Sequence, residues 1–317
     1  MNPLRKIVIV GSGAIGCYYG ARLARSGEEV HFLMRGDLAT VRERGLSISL
    51  PGEKFHLAPS RFHAAATPAE IGPGDIVIVA LKTTAGAALR GLITPLLRDD
   101  TAILTLQNGL GPDEELAAAF GPARVLGGLC FVCVNRLAPG EISCTSAGAV
   151  SFAEYQRPAS ARLRDIAGKF ERAGIKAIVS DNLLELRWRK LIWNVPFNGL
   201  SIAAGGVTTD RILDDPALAG EAAALMREIA AAAAAHGIMI PDTFIRRQLD
   251  STRAMGAYKP SSLVDYLAGR EVEVESIWGE PLRRARARNV PVPRLEMLHA
   301  LLRSATAPAR GASTPAK

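Results

Sequence analysis

Residues 188–199 read WRKLIWNVPFNG, an apolar run interrupted at every fourth position by Lys190, Asn194 and Asn198. On a helix, side chains four apart stand one above the next, so these three form a polar stripe on an apolar rod. A protonated lysine held by amides can stabilise negative charge building on an oxygen and then protonate it, which is general acid chemistry. A second polar block follows in KPSSLVDYLAGREVEVESIWG, where the hydroxyls of Ser261 and Ser262 precede Glu271, Glu273 and Glu275 at alternate positions. A carboxylate from this set could hold the lysine or a substrate hydroxyl in register. On a helix the three acids spread around the surface, and spacing alone does not choose among them.

A third group lies near the N-terminus. The β-branched run KIVIV (6–10) ends on GSGAIG, which puts Gly11, Gly13 and Gly16 after a strand and at the opening of the helical CYYGARLARSG. In that context Gly11 makes the tight turn, Gly13 lets the backbone approach a pyrophosphate, and Gly16 permits close helix packing, while the helix N-terminus presents N–H groups to the phosphates. An NAD-specific chain carries an acidic residue for the ribose 2′-hydroxyl at the end of the second strand. Here that place holds Arg35, in FLMRGD. A guanidinium fork suits a 2′-phosphate, so NADP is favoured over NAD; an Arg35 that is merely solvated would leave Asp37 as a ribose acceptor. Lys82 follows DIVIVAL and Asn108 follows TAILTL in QNGLG, both at carboxyl ends of strands, where open α/β sheets bind their ligands.

The elements that must position these residues alternate through the first half. KIVIV, EEVHFLMR, DIVIVALK, TAILTLQNG and RVLGGLCFVCVN read as strands, with helical spacing in CYYGARLARSG, TAGAALRGLITPLL and GPDEELAAAFG between them. Short strands alternating with helices predict an α/β fold, a Rossmann-type doubly wound parallel sheet over residues 1–180. After AGIKAIVSDN the strand pattern stops. An all-helical C-terminal domain is expected over 181–304, through LLELRWRKLIWNV, the alanine-rich 216–237 and DTFIRRQLDSTRAMG. RRARAR (283–288) reads as a solvated helix face, since no aromatic residues interleave as nucleic-acid binding would favour. The small, polar, proline-bearing end of the chain, 305–317, reads as disordered.

Composition sets limits on partners. The 317 residues are 48% hydrophobic and 22% charged, with a net charge of +7 that suits an anionic cofactor and substrate; the excess is too mild and dispersed to argue for nucleic acid. No stretch has the length of apolar residues that a membrane span requires, and no signal-peptide hydrophobic region precedes the first strand, so a soluble, cytoplasmic protein is expected. Four cysteines make no disulfide framework. Cys130 and Cys133 form a C-x-x-C on a predicted strand, where alternation aims them at opposite faces, and no second pair completes a zinc site, so no metal is expected.

Taken in order, GSGAIG, the LK at 81–82, QNGLG at 107–111, RWRKLIWN at 187–194, SSLVDYLAGREVEVESIWG at 261–279 and ARARNVPVP at 285–293 resemble the ketopantoate reductase family, along nearly the whole chain. The resemblance implies reduction of 2-dehydropantoate to (R)-pantoate by NADPH, on the route to pantothenate and coenzyme A. It implies Lys190 and Glu273 as catalytic residues, and Asn108, Asn194, Asn198 and Ser261 as substrate ligands, the stripe facing the cleft toward the nucleotide domain. Gly11, Ser12, Gly13, Ala14, Ile15, Gly16, Arg35, Lys82 and Asn108 would bind the cofactor, and the helical domain would form a homodimer. Another 2-oxo acid remains open as the substrate, as does a nucleotide sensor without turnover. The family's usual E-I-D-x-I-N-G reads E-V-E-S-I-W-G here, which sets Glu275 and Trp278 where Asp and Asn are common. A bulky Trp278 is expected to reshape the cleft, and Pro196, which removes a helix hydrogen bond, to kink the rod and displace Asn198.

Overall fold

A computed structural model describes residues 6–311. The chain falls into two compact units: residues up to Gln107 together with Pro112–Leu183, and Asn108–Gly111 together with the residues from Leu184 on. The boundary lies three residues beyond the expected 180/181, and a four-residue loop from the first half is counted with the second unit.

The first unit is built on one sheet of ten strands: β1 (Lys6–Val10), β2 (Glu29–Leu33), β3 (Leu46–Leu50), β4 (Glu53–Leu57), β5 (His63–Ala65), β6 (Ile76–Val79), β7 (Ala102–Thr105), β8 (Val125–Ala138), β9 (Glu141–Glu154) and β10 (Ala177–Val179). The order is β4-β3-β9-β8-β7-β6-β1-β2-β5, with β10 beside β9. Its helices are α1 (Ala14–Arg25), α2 (Leu38–Arg44), α3 (Pro68–Ile71), α4 (Gly86–Ile93), α5 (Pro112–Phe120) and α6 (Ala161–Arg172). β1 runs parallel between β2 and β6. Every residue of β1 from Ile7 to Val10 is buried, Ile7 and Ile9 in one core and Val8 and Val10 in the other, as alternation across a sheet covered on both faces requires.

The sheet is mixed rather than wholly parallel. β3 pairs antiparallel with β4 and β8 antiparallel with β9. Both hairpins turn at the same tripeptide, Pro51-Gly52-Glu53 and Pro139-Gly140-Glu141, with Gly52 at φ +77° and Gly140 at φ +75°. Proline fixes φ for the first turn position and glycine supplies the positive φ of the second, which closes two strands that a parallel crossover cannot join so tightly.

The second unit is helical: α7 (Leu183–Ala203), α8 (Thr209–Asp214), α9 (Pro216–Ala234), α10 (Asp242–Arg253), α11 (Ser261–Leu267), α12 (Glu280–Ala287) and α13 (Pro293–Gly311), with a π-helical turn at Glu275–Gly279 leading into α12. α7 runs through Pro196 without interruption and is buried nearly all round, with Trp188, Ile192, Val195 and Phe197 at 0% exposure. The basic run on α12 is an ion-paired surface: Arg283 and Arg284 both meet Glu280, and Arg286 meets Glu296. α13 stays helical to Gly311, so the disordered tail expected from 305 does not begin there; 312–317 lie outside the described residues. Among the described residues no helix is long and apolar enough to cross a membrane, no cluster could hold a metal ion, and all four cysteines are free.

Candidate active site

The three glycines of the first unit's turn differ in the room around them. Gly11 sits at φ +103°, and a Cβ there would lie 2.4 Å from the backbone N of Leu81, so the turn packs on the chain that leads into Lys82. A Cβ on Gly16 would lie 2.1 Å from Gly11 O, because α1 passes directly against the turn. At Gly13, by contrast, a Cβ meets nothing within 4 Å. Gly13 is the N-cap of α1 and gives it no side-chain cap, and no acidic residue stands in the first turn. The first-turn N–H groups of Ala14 and Ile15 have no acceptor within the helix and no side-chain cap, and with the positive helix end behind them they could hold a pyrophosphate. Ser12 turns its hydroxyl away to donate to Leu33 O at 2.9 Å, tying the turn to the end of β2. Gly16→Ala should abolish dinucleotide binding, because backbone rather than a movable side chain blocks the new methyl; dinucleotide titration by calorimetry checks it.

Beyond β2, Arg35 and Asp37 have separate fates. Arg35 is exposed and its side chain makes no hydrogen bond or ion pair among the described residues. Asp37 is 8% exposed and its Oδ2 accepts from Arg136 Nη1 at 2.7 Å. The carboxylate that could have met a ribose hydroxyl is thus already paired across the sheet. Arg136 went unnoticed in the sequence because it lies on β8, 99 residues away from its partner.

The second unit gathers the acid–base candidates. Lys190 Nζ donates to Asn108 Oδ1 at 2.8 Å, and Asn108 Nδ2 reaches Glu273 Oε2 at 3.5 Å, so the amide stands between ammonium and carboxylate. Of the three alternate glutamates, geometry singles out Glu273; Glu275 is exposed and faces His299 at 3.5 Å. Asn108 belongs here because its loop is anchored in the helical core: Leu110 is 2% exposed among those side chains, and its N–H donates to Ser276 O at 2.9 Å.

Two turns along α7, about 12 Å from Lys190 at 1.5 Å per residue, Asn198 forms a separate cluster. Its Oδ1 accepts from Ser262 N at 2.8 Å and lies 3.5 Å from Ser261 Oγ, capping the start of α11 from a distance. Its Nδ2 is buried without a hydrogen-bond partner. Asn194, 8% exposed, lies between the clusters, and its side-chain amide makes no hydrogen bond among the described residues. Buried amide groups left unpaired are costly, and a polar ligand along this face would satisfy them. The three residues share α7 but not one cluster: there is a lysine end at Asn108 and a serine end at Ser261 and Ser262.

The family model described as "Ketopantoate reductase PanE/ApbA" matches residues 7–157, and its C-terminal counterpart matches 182–306. The chain belongs to the ketopantoate reductase family. A 2-dehydropantoate 2-reductase of Nostoc sp. is 38% identical over 300 residues, covering 93% of either chain. Among solved structures, a 2-dehydropantoate 2-reductase from Geobacter metallireducens GS-15 superposes with a TM-score of 0.91 at 40% identity, covering 95% of this chain and all of its own. One from Methylococcus capsulatus gives 0.88 at 36%, covering 96% and 97%.

Within this ketopantoate reductase fold, Trp278 does not do what its bulk suggested. It is 0% exposed, and its indole N–H donates to Val195 O at 2.9 Å, in the interior of the second unit. Gly199 makes room for it, since a Cβ there would lie 2.9 Å from the indole nitrogen. Trp278 is a packing residue, and the departure at this position falls in the core rather than on the polar face of α7.

Proposed function

We propose that this ketopantoate reductase catalyses the NADPH-dependent reduction of 2-dehydropantoate to (R)-pantoate, in the cytoplasm, with Lys190 as the general acid. The observation that carries the reading is the row Lys190–Asn108–Glu273, in which an ammonium is aimed by an amide that is itself held by a carboxylate. The dinucleotide, when bound, supplies the hydride. As the ketone carbon is reduced its oxygen gains negative charge; the Lys190 ammonium stabilises that charge and delivers the one proton that the product alcohol needs. Asn108 fixes the ammonium's direction, and Glu273 fixes the amide so that its oxygen, not its nitrogen, faces the lysine. Asn194, Asn198 and Ser261 would hold the substrate's hydroxyl and carboxylate, which orients the ketone toward Lys190.

On the cofactor side, Gly11 to Gly16 would hold the pyrophosphate, with Lys82 close by and Arg35 on the 2′-phosphate. The pairing of Asp37 with Arg136 supports NADPH over NADH, because no free carboxylate is left at the end of β2 to recognise a 2′-hydroxyl. Arg35→Ala should weaken NADPH by roughly 10-fold or more, the worth of a charge-assisted bond or two, while NADH binding changes little. Equal weakening of both in a fluorescence titration would remove the 2′-phosphate assignment. The whole reading is tested by following NADPH consumption with 2-dehydropantoate against a panel of other 2-oxo acids, NADH being run in parallel. A preference for 2-dehydropantoate with NADPH is expected. Turnover of a different 2-oxo acid would keep the chemistry and replace the substrate, and binding of NADPH without oxidation on any of them would leave a sensor.

A further inference from the structure

The π-helical turn begins two residues after Glu273, and the carbonyl of Ser276 within it is served from outside the helix. In an ordinary helix Ser276 O would accept from Glu280 N, but that N–H bonds to Glu275 O instead, the five-residue spacing of a π turn. The next residue in register is Pro281, which has no N–H. Ser276 is 7% exposed, so its carbonyl needs a donor from elsewhere in the protein. Leu110 N supplies it at 2.9 Å. The contact tolerates no side chain on the residue before: Gly109 lies at φ +84°, and a Cβ there would stand 2.2 Å from Ser276 O and 2.4 Å from Ser276 C. Asn108 is the next residue back, and Glu273 is three residues before the carbonyl on which the loop hangs, with Ser276 Oγ donating to Glu273 O at 3.4 Å.

We propose that the π turn is a docking point for the Asn108 loop, with Gly109, Ser276 and Pro281 as positioning residues that set the Asn108 amide between Lys190 and Glu273. The same short segment then fixes both the carboxylate and the loop, so the spacing of the row is built into one stretch of backbone. The inference rests on the role of Asn108 under the proposed function, and its test separates the two. Amide exchange at Leu110 in the full-length protein reads the docking directly, without turnover. Pro281→Ala restores an N–H that competes for Ser276 O, and Gly109→Ala removes the room for the close approach; either should quicken Leu110 exchange. In steady-state assays with NADPH and 2-dehydropantoate, kcat should fall, by as much as roughly 10²-fold for Gly109→Ala, the scale of a 1 Å misplacement, with KM for NADPH nearly unchanged. Placed on Asn108→Ala, Pro281→Ala should lower kcat no further, which a merely structural loosening would not reproduce. Unchanged exchange in both variants overturns the docking, and faster exchange with normal kcat, or a loss that persists in the Asn108→Ala background, overturns the positioning. If Asn108→Ala alone leaves kcat intact, the reading of the site fails instead, and Leu110 exchange still judges the docking.

Discussion

Lys190→Ala is expected to lower kcat by roughly 10²–10⁴-fold, the usual worth of a positioned general acid, while the protein stays folded. The lysine is half-buried, and its stem lies on a helix whose apolar faces pack independently of it: Trp188, Ile192 and Val195 are fully enclosed without its help. Truncation therefore removes the proton donor and little of the core. Asn108 Oδ1 loses its 2.8 Å donor but retains the loop's backbone tether through Leu110, so the damage stays local. Single-turnover kinetics is the measurement, since it isolates the chemical step from product release. A chemical step within a few-fold of the parent, in a variant whose melting temperature has not moved, would end the catalytic assignment.

Trp278→Ala should act in the opposite way, on stability rather than on substrate choice. Replacing a fully buried tryptophan by alanine costs roughly 3–5 kcal/mol, to which the loss of the indole donor to Val195 O adds. For a chain of this size each kcal/mol moves the midpoint by about 2–4 °C, so melting should fall by on the order of 10 °C. The position is sensitive because Gly199 is already bare to admit the ring and has no side chain of its own to fill the hole. Thermal unfolding combined with KM across the 2-oxo acid panel separates packing from recognition. A variant that melted normally and changed its preferred acid would return Trp278 to the substrate.

What the sequence disclosed was whatever depends on local spacing. The glycine turn, the stripe on α7 and the basic face of α12 are all written in intervals of five residues or fewer, and physical chemistry reads such intervals directly. The antiparallel strands were equally available, in the two Pro-Gly-Glu turns, but β9 and β4 alternate too weakly to be noticed without them. The remaining features depend on partners far along the chain. Trp278 was misplaced because nothing near it in sequence tells that Val195 O, 83 residues away, would receive its indole. The pairing of Asp37 with Arg136, the Asn108 bridge and the π turn are of the same kind, since register shifts and long-range hydrogen bonds leave no periodic trace.

The loop 108–111 gives the site an unusual inheritance. Lys190 and Glu273 are encoded downstream of the junction at 183/184, whereas Asn108 is encoded far upstream, although it is counted with the second unit. A chimera spliced at that junction takes its ammonium and carboxylate from one parent and the amide linking them from the other. Under the proposed function the row Lys190–Asn108–Glu273 is thus not a portable module. If the proposed docking holds, recombination between relatives is expected to yield a working enzyme only where the two halves of the gene match at Gly109 and Ser276.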